Sequence, residues 1–405
     1  MARVVLLGTL DTKGREYAYL RERLLELDVD VTVVDAGVHE PVGLAPDVGR
    51  DEVARAAGAD AGALADAGDR GAAVTAMAEG AERIVLGLHE RGELDAILAL
   101  GGSGGSSIAA RAMQALPVGV PKVLVSTLAS GDTRPYVGAV DVTMMYSVVD
   151  ISGVNSVSAR IMSNAAAAIA GMARVTSPRT DGRPLVGATM FGVTTPCVTR
   201  ARERLEELGY EVLVFHATGA GGRSLEALAA GGFLAGVLDV TTTELADELV
   251  GGVLSAGPDR LEAAGRNGVP QVVSLGALDM VNFGPRETVP PQFEDRNLYV
   301  HNPTVTLMRT TAEECAQLGR TIGEKLAAAT SPTAVFVPLG GVSMIDVPGQ
   351  PFHDAEADAA LVSSLEEALG GRVELHERDE DVNDPAFAVA MADRLHELIR
   401  GGAGA

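Results

Sequence analysis

Asp95-Ala96-Ile97-Leu98-Ala99-Leu100 runs into Gly101-Gly102-Ser103-Gly104-Gly105-Ser106, and that turn runs on into Ile108-Ala109-Ala110-Arg111-Ala112-Met113. An apolar run, a turn almost without side chains and an alanine-rich stretch read as strand, turn and helix. Four glycines let backbone N–H groups come close to an anion, and the helix start adds partial positive charge. Nearer the amino terminus, Val4-Val5-Leu6-Leu7 enters Gly8-Thr9-Leu10-Asp11-Thr12-Lys13-Gly14 in the same manner. Two phosphate-suited strand ends in one half of the chain point to a nucleotide or another phosphorylated ligand.

Outward from these turns, short β-branched runs alternate with Ala-rich helical stretches, the pattern of parallel sheets built from βαβ units. Strands are expected near 3–8, 31–35, 95–100, 122–127 and 140–146, followed by a long helix over 155–173. The polar, turn-rich stretch 176–184 then reads as a linker. The pattern restarts at Leu185-Val186-Gly187-Ala188-Thr189-Met190, with strands near 211–215, 235–240, 270–275, 298–301, 333–337 and 372–376. Helices are expected over 201–208, 312–329 and 355–369. The fold class is therefore α/β: two Rossmann-like subdomains with mainly parallel sheets, 1–178 and 185–405, and an interdomain cleft where strand ends meet. The stretch 58–64 is low in complexity and reads as a flexible helix or loop.

Composition narrows the function. With 405 residues, 47% of them hydrophobic, the chain exceeds one ordinary core. A net charge of -23 argues against nucleic acid as a partner. Residues 1–180 carry 22 acids against 16 bases and the remainder 33 against 16, so the second half is the more acidic. Two cysteines make neither a disulfide framework nor a metal-type pair. With no signal peptide and no apolar run of spanning length, the expectation is a cytoplasmic protein away from membranes.

The first half supplies the cofactor residues: Gly8, Thr9, Asp11, Thr12, Lys13, Asp35, Gly101, Gly102, Ser103, Gly104, Gly105, Ser106, Ser126 and Thr127. Lys13 would neutralise phosphate, Thr9 and Thr12 would donate hydroxyl hydrogen bonds, and Asp11 or Asp132 would hold Mg²⁺. Asp35, at the end of the second strand, stands where an acid often meets a ribose. The 8–13 turn is neither a Walker loop nor a dinucleotide fingerprint, and a helix cap with a surface lysine explains it equally. The stretch 126–133 follows another strand and would complete the pocket, or simply turn the chain.

The second half is denser in reactive groups. Thr195 as N-cap and Pro196 at the first helical position would place Cys197 in the first turn, where the helix lowers a thiol's pKa; a small packed residue is the alternative. His216 follows a strand and precedes a glycine turn. Glu244 starts a helix after Thr241, and a capping box explains it as well as catalysis does; the same holds for Thr310 with Glu313. Asp279, Asn282, His301, Asn302, Arg309 and His353-Asp354 complete the polar loops. Cys197, His216, Glu244 and His301 are the candidate catalytic residues, in spacings that match no zinc signature. The turn 338–343 would hold an oxyanion or only reverse the chain.

The motifs at 8–13, 101–106, 187–197, 215–219, 239–244, 276–284 and 301–311 occur in that order over almost the whole chain. This series resembles the bacterial relatives of the ATP-binding amino-terminal domain of the tomato mosaic virus resistance protein, an inhibitor of viral RNA replication. The resemblance implies two α/β subdomains, ATP as ligand and a homodimer. The plant protein carries a barrel-type domain after this region, so that activity is expected to be either absent or on a separate barrel-domain protein that would be a partner; the antiviral role is not carried over. Three functions fit: an ATP- and Mg²⁺-dependent enzyme acting on a small acidic metabolite, a nucleotide-responsive regulatory module, or an ATP-independent enzyme working through Cys197 and His216 on a small oxo-acid or phosphorylated metabolite.

Overall fold

The computed structural model describes residues 1–175 and 182–402. The chain divides into two compact units, Met1–Pro178 and Arg179–Ala405. Of the stretch 176–184 read as a linker, residues 176–181 lie outside the described residues.

In the first unit the strands are β1 (Ala2–Gly8), β2 (Val29–Asp35), β3 (Ala96–Gly101), β4 (Lys122–Ser126) and β5 (Val142–Tyr146). The helices are α1 (Leu10–Glu26), α2 (Arg50–Ala56), α3 (Ala61–Ala67), α4 (Arg70–Glu90), α5 (Ser103–Ala115), α6 (Arg134–Val137) and α7 (Ser156–Met172). Among the described residues these strands form one parallel sheet in the order β2-β1-β3-β4-β5. Successive side chains of a strand face opposite ways, and here both faces are covered. Val5, Leu7, Ile97 and Ala99 pack with Met77, Ala81 and Val85 of α4 and with Ile108 and Met113 of α5. Val4, Leu6, Leu98 and Leu100 pack with Leu20 and Leu24 of α1 and with Ala165 and Ile169 of α7. Continuous apolar strands such as Val4-Val5-Leu6-Leu7 follow from that two-sided burial.

The chain leaves β1 to one side for β2 and returns on the other side for β3. Strand order therefore reverses between β1 and β3, and the loops after their carboxyl ends diverge to leave a crevice. One side chain ties the two strands behind it. The buried Tyr17 hydroxyl donates to Leu7 O at 2.5 Å and accepts from Leu100 N at 2.9 Å.

The second unit repeats the scheme with β6 (Leu185–Met190), β7 (Glu211–His216), β8 (Gly236–Thr241), β9 (Gln271–Gly276), β10 (Met280–Phe283), β11 (Leu298–Asn302), β12 (Val305–Arg309), β13 (Thr333–Pro338) and β14 (Glu374–Arg378). Its helices are α8 (Thr195–Glu207), α9 (Ala220–Ala230), α10 (Glu244–Val250), α11 (Ala263–Arg266), α12 (Ala312–Ala327), α13 (Ala355–Leu369) and α14 (Pro385–Gly402). Six strands lie parallel in the order β7-β6-β8-β9-β13-β14 among the described residues, and the order reverses between β6 and β8.

The α/β class with mainly parallel sheets is thus what the chain forms, with one correction. The stretch at 298–301 is not part of the parallel sheet: β11 pairs antiparallel with β12, which also pairs antiparallel with β10, in a separate three-stranded sheet. Two capping assignments shift by one residue. Thr311 with Glu314, rather than Thr310 with Glu313, makes the capping box of α12, and Thr194 rather than Thr195 is the N-cap of α8. Among the described residues, no helix is long and apolar enough to cross a membrane.

Candidate functional site

A cavity of about 530 Å³ opens in the first unit, walled by residues that follow β1, β2 and β3. From the β1 end come Thr9, Asp11, Thr12 and Lys13; from the β2 end Ala36, Gly37, Val38 and His39; from the β3 end Gly101 and Gly102, with Ser103, Gly104 and Gly105 of α5. Leu64 and Ala65 of α3 and Ala73, Val74 and Met77 of α4 give it an apolar side. It lies at the strand-order reversal, where open α/β sheets bind ligands.

The glycine turn is open to an anion. Gly102, the N-cap of α5, offers no side chain. Ser106 N bonds back to Gly102 O, but the N–H groups of Ser103, Gly104 and Gly105 have no acceptor among the described residues. Such first-turn groups need a partner. A Cβ on Gly101 would stand 2.9 Å from Gly105 Cα and 3.0 Å from Ser106 N, so the tight return of the chain requires glycine there.

Across the cavity, Thr9 Oγ1 and Thr12 Oγ1 lie 2.8 Å apart. Asp11 Oδ2 accepts from Val38 N and His39 N, both at 3.1 Å, whereas Asp11 Oδ1 is enclosed without a partner among the described residues. Gly37 permits that approach, since a Cβ there would come within 2.7 Å of the Asp11 carboxyl carbon. Lys13 donates to Ile151 O, which leaves two of its three ammonium protons for a ligand. Arg70, at the start of α4, is exposed, carries no ion-pair partner among the described residues, and points its guanidinium toward Gly104: a Cβ there would stand 3.5 Å from Arg70 Nη2.

Other residues expected here serve the scaffold. Asp35 does not face the cavity. It is wholly buried, its Oδ1 accepts from Leu10 N and Gly37 N, and burial pushes its carboxyl upward. Gly8 is a buried strand residue and Ser106 is buried too, its hydroxyl 2.7 Å from that of Ser126. Ser126 ends β4 and Thr127 and Asp132 follow it, one strand beyond the reversal; none forms part of the wall. Asp132 accepts three hydrogen bonds from Arg134, two from its guanidinium and one from its backbone N–H, which lower its pKa to about 2.

In the second unit several helix starts are filled by the protein itself. Glu244 Oε1 accepts from Gly219 N at 2.6 Å and Gly222 N at 3.0 Å, at the start of α9, while its Oε2 accepts from Arg260 Nε at 2.7 Å. Arg260 also grips both oxygens of Asp239, at 2.5 and 2.7 Å. Glu226 accepts from Leu261 N and Ala263 N at the start of α11. At α8, Asn383 Oδ1 takes Cys197 N at 3.3 Å.

Two candidate catalytic residues are enclosed by the fold. Glu244 is fully buried with both oxygens occupied, as a member of the ion-pair network with Arg260. Cys197 is fully buried as well; burial outweighs the helix's positive end and pushes the thiol up to about 12. His216 and His301 are exposed, on different sheets. The polar loop residues gather around Arg309. It donates to Phe352 O at 2.7 Å, Asp358 Oδ1 at 2.7 Å and Asp346 Oδ1 at 3.3 Å, while Ser343 donates to Asp279. Burial pushes Asp279 and Asp346 upward, and the Asp279 charge adds to the effect at Asp346. Asp346, His353 and Asp358 bring ligand atoms within 4.8 Å of one another, but the Arg309 guanidinium already bonds the two carboxylates.

Comparison with known proteins matches both units to one family. Residues 2–178 match the N-terminal domain, and 183–399 the C-terminal domain, of the Uncharacterised protein family (UPF0261). This chain belongs to the UPF0261 family. A UPF0261 protein of Clostridium tetani is 54% identical over 98% of this chain and 99% of its own length. One of Rhizobium meliloti is 47% identical over 98% and 99%. The ToMV resistance protein Tm-1 of Solanum lycopersicum is 42% identical over 98% of this chain but 56% of its own length. The resemblance seen in the ordered motifs is therefore real.

Within this UPF0261 chain, sequence reasoning missed Gly37, His39, Arg70 and Asp150 of the cavity wall. Arg70 lies far from any strand end, in the long connection between β2 and β3. No strand-turn-helix signal marks it.

Proposed function

We propose that the amino-terminal unit binds a nucleotide, ATP with Mg²⁺, in the cavity at the β1/β3 reversal. One observation carries this reading. The first-turn N–H groups of α5 have no acceptor among the described residues and face a cavity with Lys13 and Arg70, whereas amides at the starts of α9 and α8 in the second unit are taken by Glu244 and Asn383. A cavity of this size suits a nucleotide, and its apolar side offers a surface for a base. Exposed amides, a helix dipole and cations suit phosphates. Asp11 Oδ1, without a partner among the described residues, and the Thr9 and Thr12 hydroxyls of the same turn are oxygen donors of the kind Mg²⁺ takes. Bound there, the ion would neutralise phosphate charge.

Binding without turnover is the reading favoured here, because Cys197 and Glu244 are sealed from solvent. Calorimetric titration with ATP and Mg²⁺ tests it, on the wild type, Lys13→Ala and His216→Ala. Binding weakened only in Lys13→Ala is expected. An absence of binding in the wild type, or equal binding in all three, overturns the proposal. Release of ADP during the titration would replace the non-catalytic reading with an ATP-consuming one.

A further inference from the structure

Resting on the nucleotide reading, we infer that the ligand's anionic part is a chain of at least two phosphates spanning the ends of β1 and β3, and that Arg70 is the residue by which the site reads the length of that chain. The anion-binding groups form two sets. One sits at the β3 end: the N–H groups of Ser103, Gly104 and Gly105, with the Arg70 guanidinium near Gly104. The other sits at the β1 end: the hydroxyls of Thr9 and Thr12 and the ammonium of Lys13. β1 and β3 are direct neighbours in the sheet, and neighbouring strands lie about 4.8 Å apart. A single phosphate satisfies one set and leaves the other facing solvent or apolar wall. A di- or triphosphate meets both.

Arg70 differs from Lys13 in a way that matters for selectivity. Lys13 already gives one proton to Ile151 O, which fixes it as part of the β1 end whatever the ligand. Arg70 makes no such bond among the described residues, and its planar fork suits two phosphate oxygens at once. It is exposed at the start of α4, which is anchored by the Asp69 side chain accepting from Ala72 N at 3.0 Å. Arg70 therefore has no folding task to compete with ligand binding. Asp69 and Asp150 also line the cavity. Their negative charge disfavours a phosphate placed away from the amides and cations, which helps to fix the chain's position.

The test measures affinities of AMP, ADP, ATP and inorganic tripolyphosphate for the wild type, Arg70→Ala and Arg70→Lys. The wild type should bind ATP and ADP more tightly than AMP. Arg70→Ala should weaken ATP about ten-fold or more, the loss of a charge-assisted pair, leave AMP within about two-fold, and so abolish the preference; Arg70→Lys should fall between. Equal losses for all three nucleotides, or none, overturn the inference. If no nucleotide binds but tripolyphosphate does so in an Arg70-dependent way, the nucleotide reading fails and the phosphate-chain inference stands. If tripolyphosphate and the nucleotides all fail to bind, both fall.

Discussion

Glu244 Oε2 and Arg260 Nε lie 2.7 Å apart with both side chains fully buried. The other Glu244 oxygen holds the first amides of α9. A carboxylate thus fills a helix start in the second unit, whereas the start of α5 in the first has no such partner among the described residues. Glu244→Ala would leave Arg260 short of one partner and two amides bare, and it is expected to destabilise by about 3–5 kcal/mol. Phosphate or sulfate should recover part of that loss by taking the vacated position. The check is the urea midpoint in phosphate against chloride at matched ionic strength. The gain should exceed that of the wild type, whose proposed anion site lies in the other unit; an equal gain would show that the vacated position does not take an anion.

Asp247 carries the pH dependence that is simplest to isolate. Burial pushes its carboxyl to about 7 against the hydrogen bonds it accepts from Asn282 and Leu254. The folded state therefore holds a proton that the unfolded chain releases near pH 4. Below that pH the group contributes nothing. Between about 4 and 7 stability falls as pH rises, by up to about 1.4 kcal/mol per unit, and above 7 the penalty is constant. Asp247→Asn mimics the protonated form, and the unpartnered Asn282 Oδ1 can accept from the new amide if the Asn282 amide turns over. The variant should gain on the wild type steadily from pH 4 to 7 in urea unfolding. A constant difference across that range would contradict the assignment.

Much of the scaffold was legible because its signals are local. The first-unit strands Val4-Leu7 and Ile97-Leu100 are buried on both faces, which leaves long apolar runs that end in glycine turns. The β10–β12 pair was not legible: Met280–Phe283 is four residues, all buried, with no alternation to mark it. At the site, the glycine turn and Lys13 could be read from their place after strands. The roles of Cys197 and Glu244 could not, since the same strand-turn-helix pattern serves an open anion site or a plugged one. Only the position of Asn383 and Arg260, distant in sequence, decides which.

Tyr17 links that scaffold to the site. Its hydroxyl joins Leu7 O and Leu100 N across the β1/β3 junction. Tyr17→Phe leaves two buried backbone groups without a partner and should cost about 1–3 kcal/mol. Both proposed anion-binding ends ride on these strands, so ATP affinity should fall several-fold while the apolar packing of the ring is kept. Denaturant unfolding together with calorimetric titration measures both. A stability loss with unchanged affinity would show that the junction does not set the cradle's geometry.

The thiols give the last prediction. Cys197 and Cys315 are both fully buried and unpaired, and burial pushes both thiols upward. Cys315 has Thr310 Oγ1 at 3.2 Å and Arg309 Nη1 at 3.7 Å, contacts that favour its thiolate yet are outweighed by desolvation. The thiolate is the reactive species, and both the charged form and access are suppressed here. Native protein at pH 8 should therefore show no fast reaction with an aromatic disulfide reagent, and two thiols per chain should react once urea unfolds it. Cys197→Ser should leave ATP binding unchanged, within about two-fold, although a hydroxyl in that apolar pocket will cost about 1–3 kcal/mol of stability. One fast thiol per chain that vanishes in Cys197→Ser would mean that this residue reaches solvent in the native state. That result would bring the Cys197 and His216 loops back as a reactive centre.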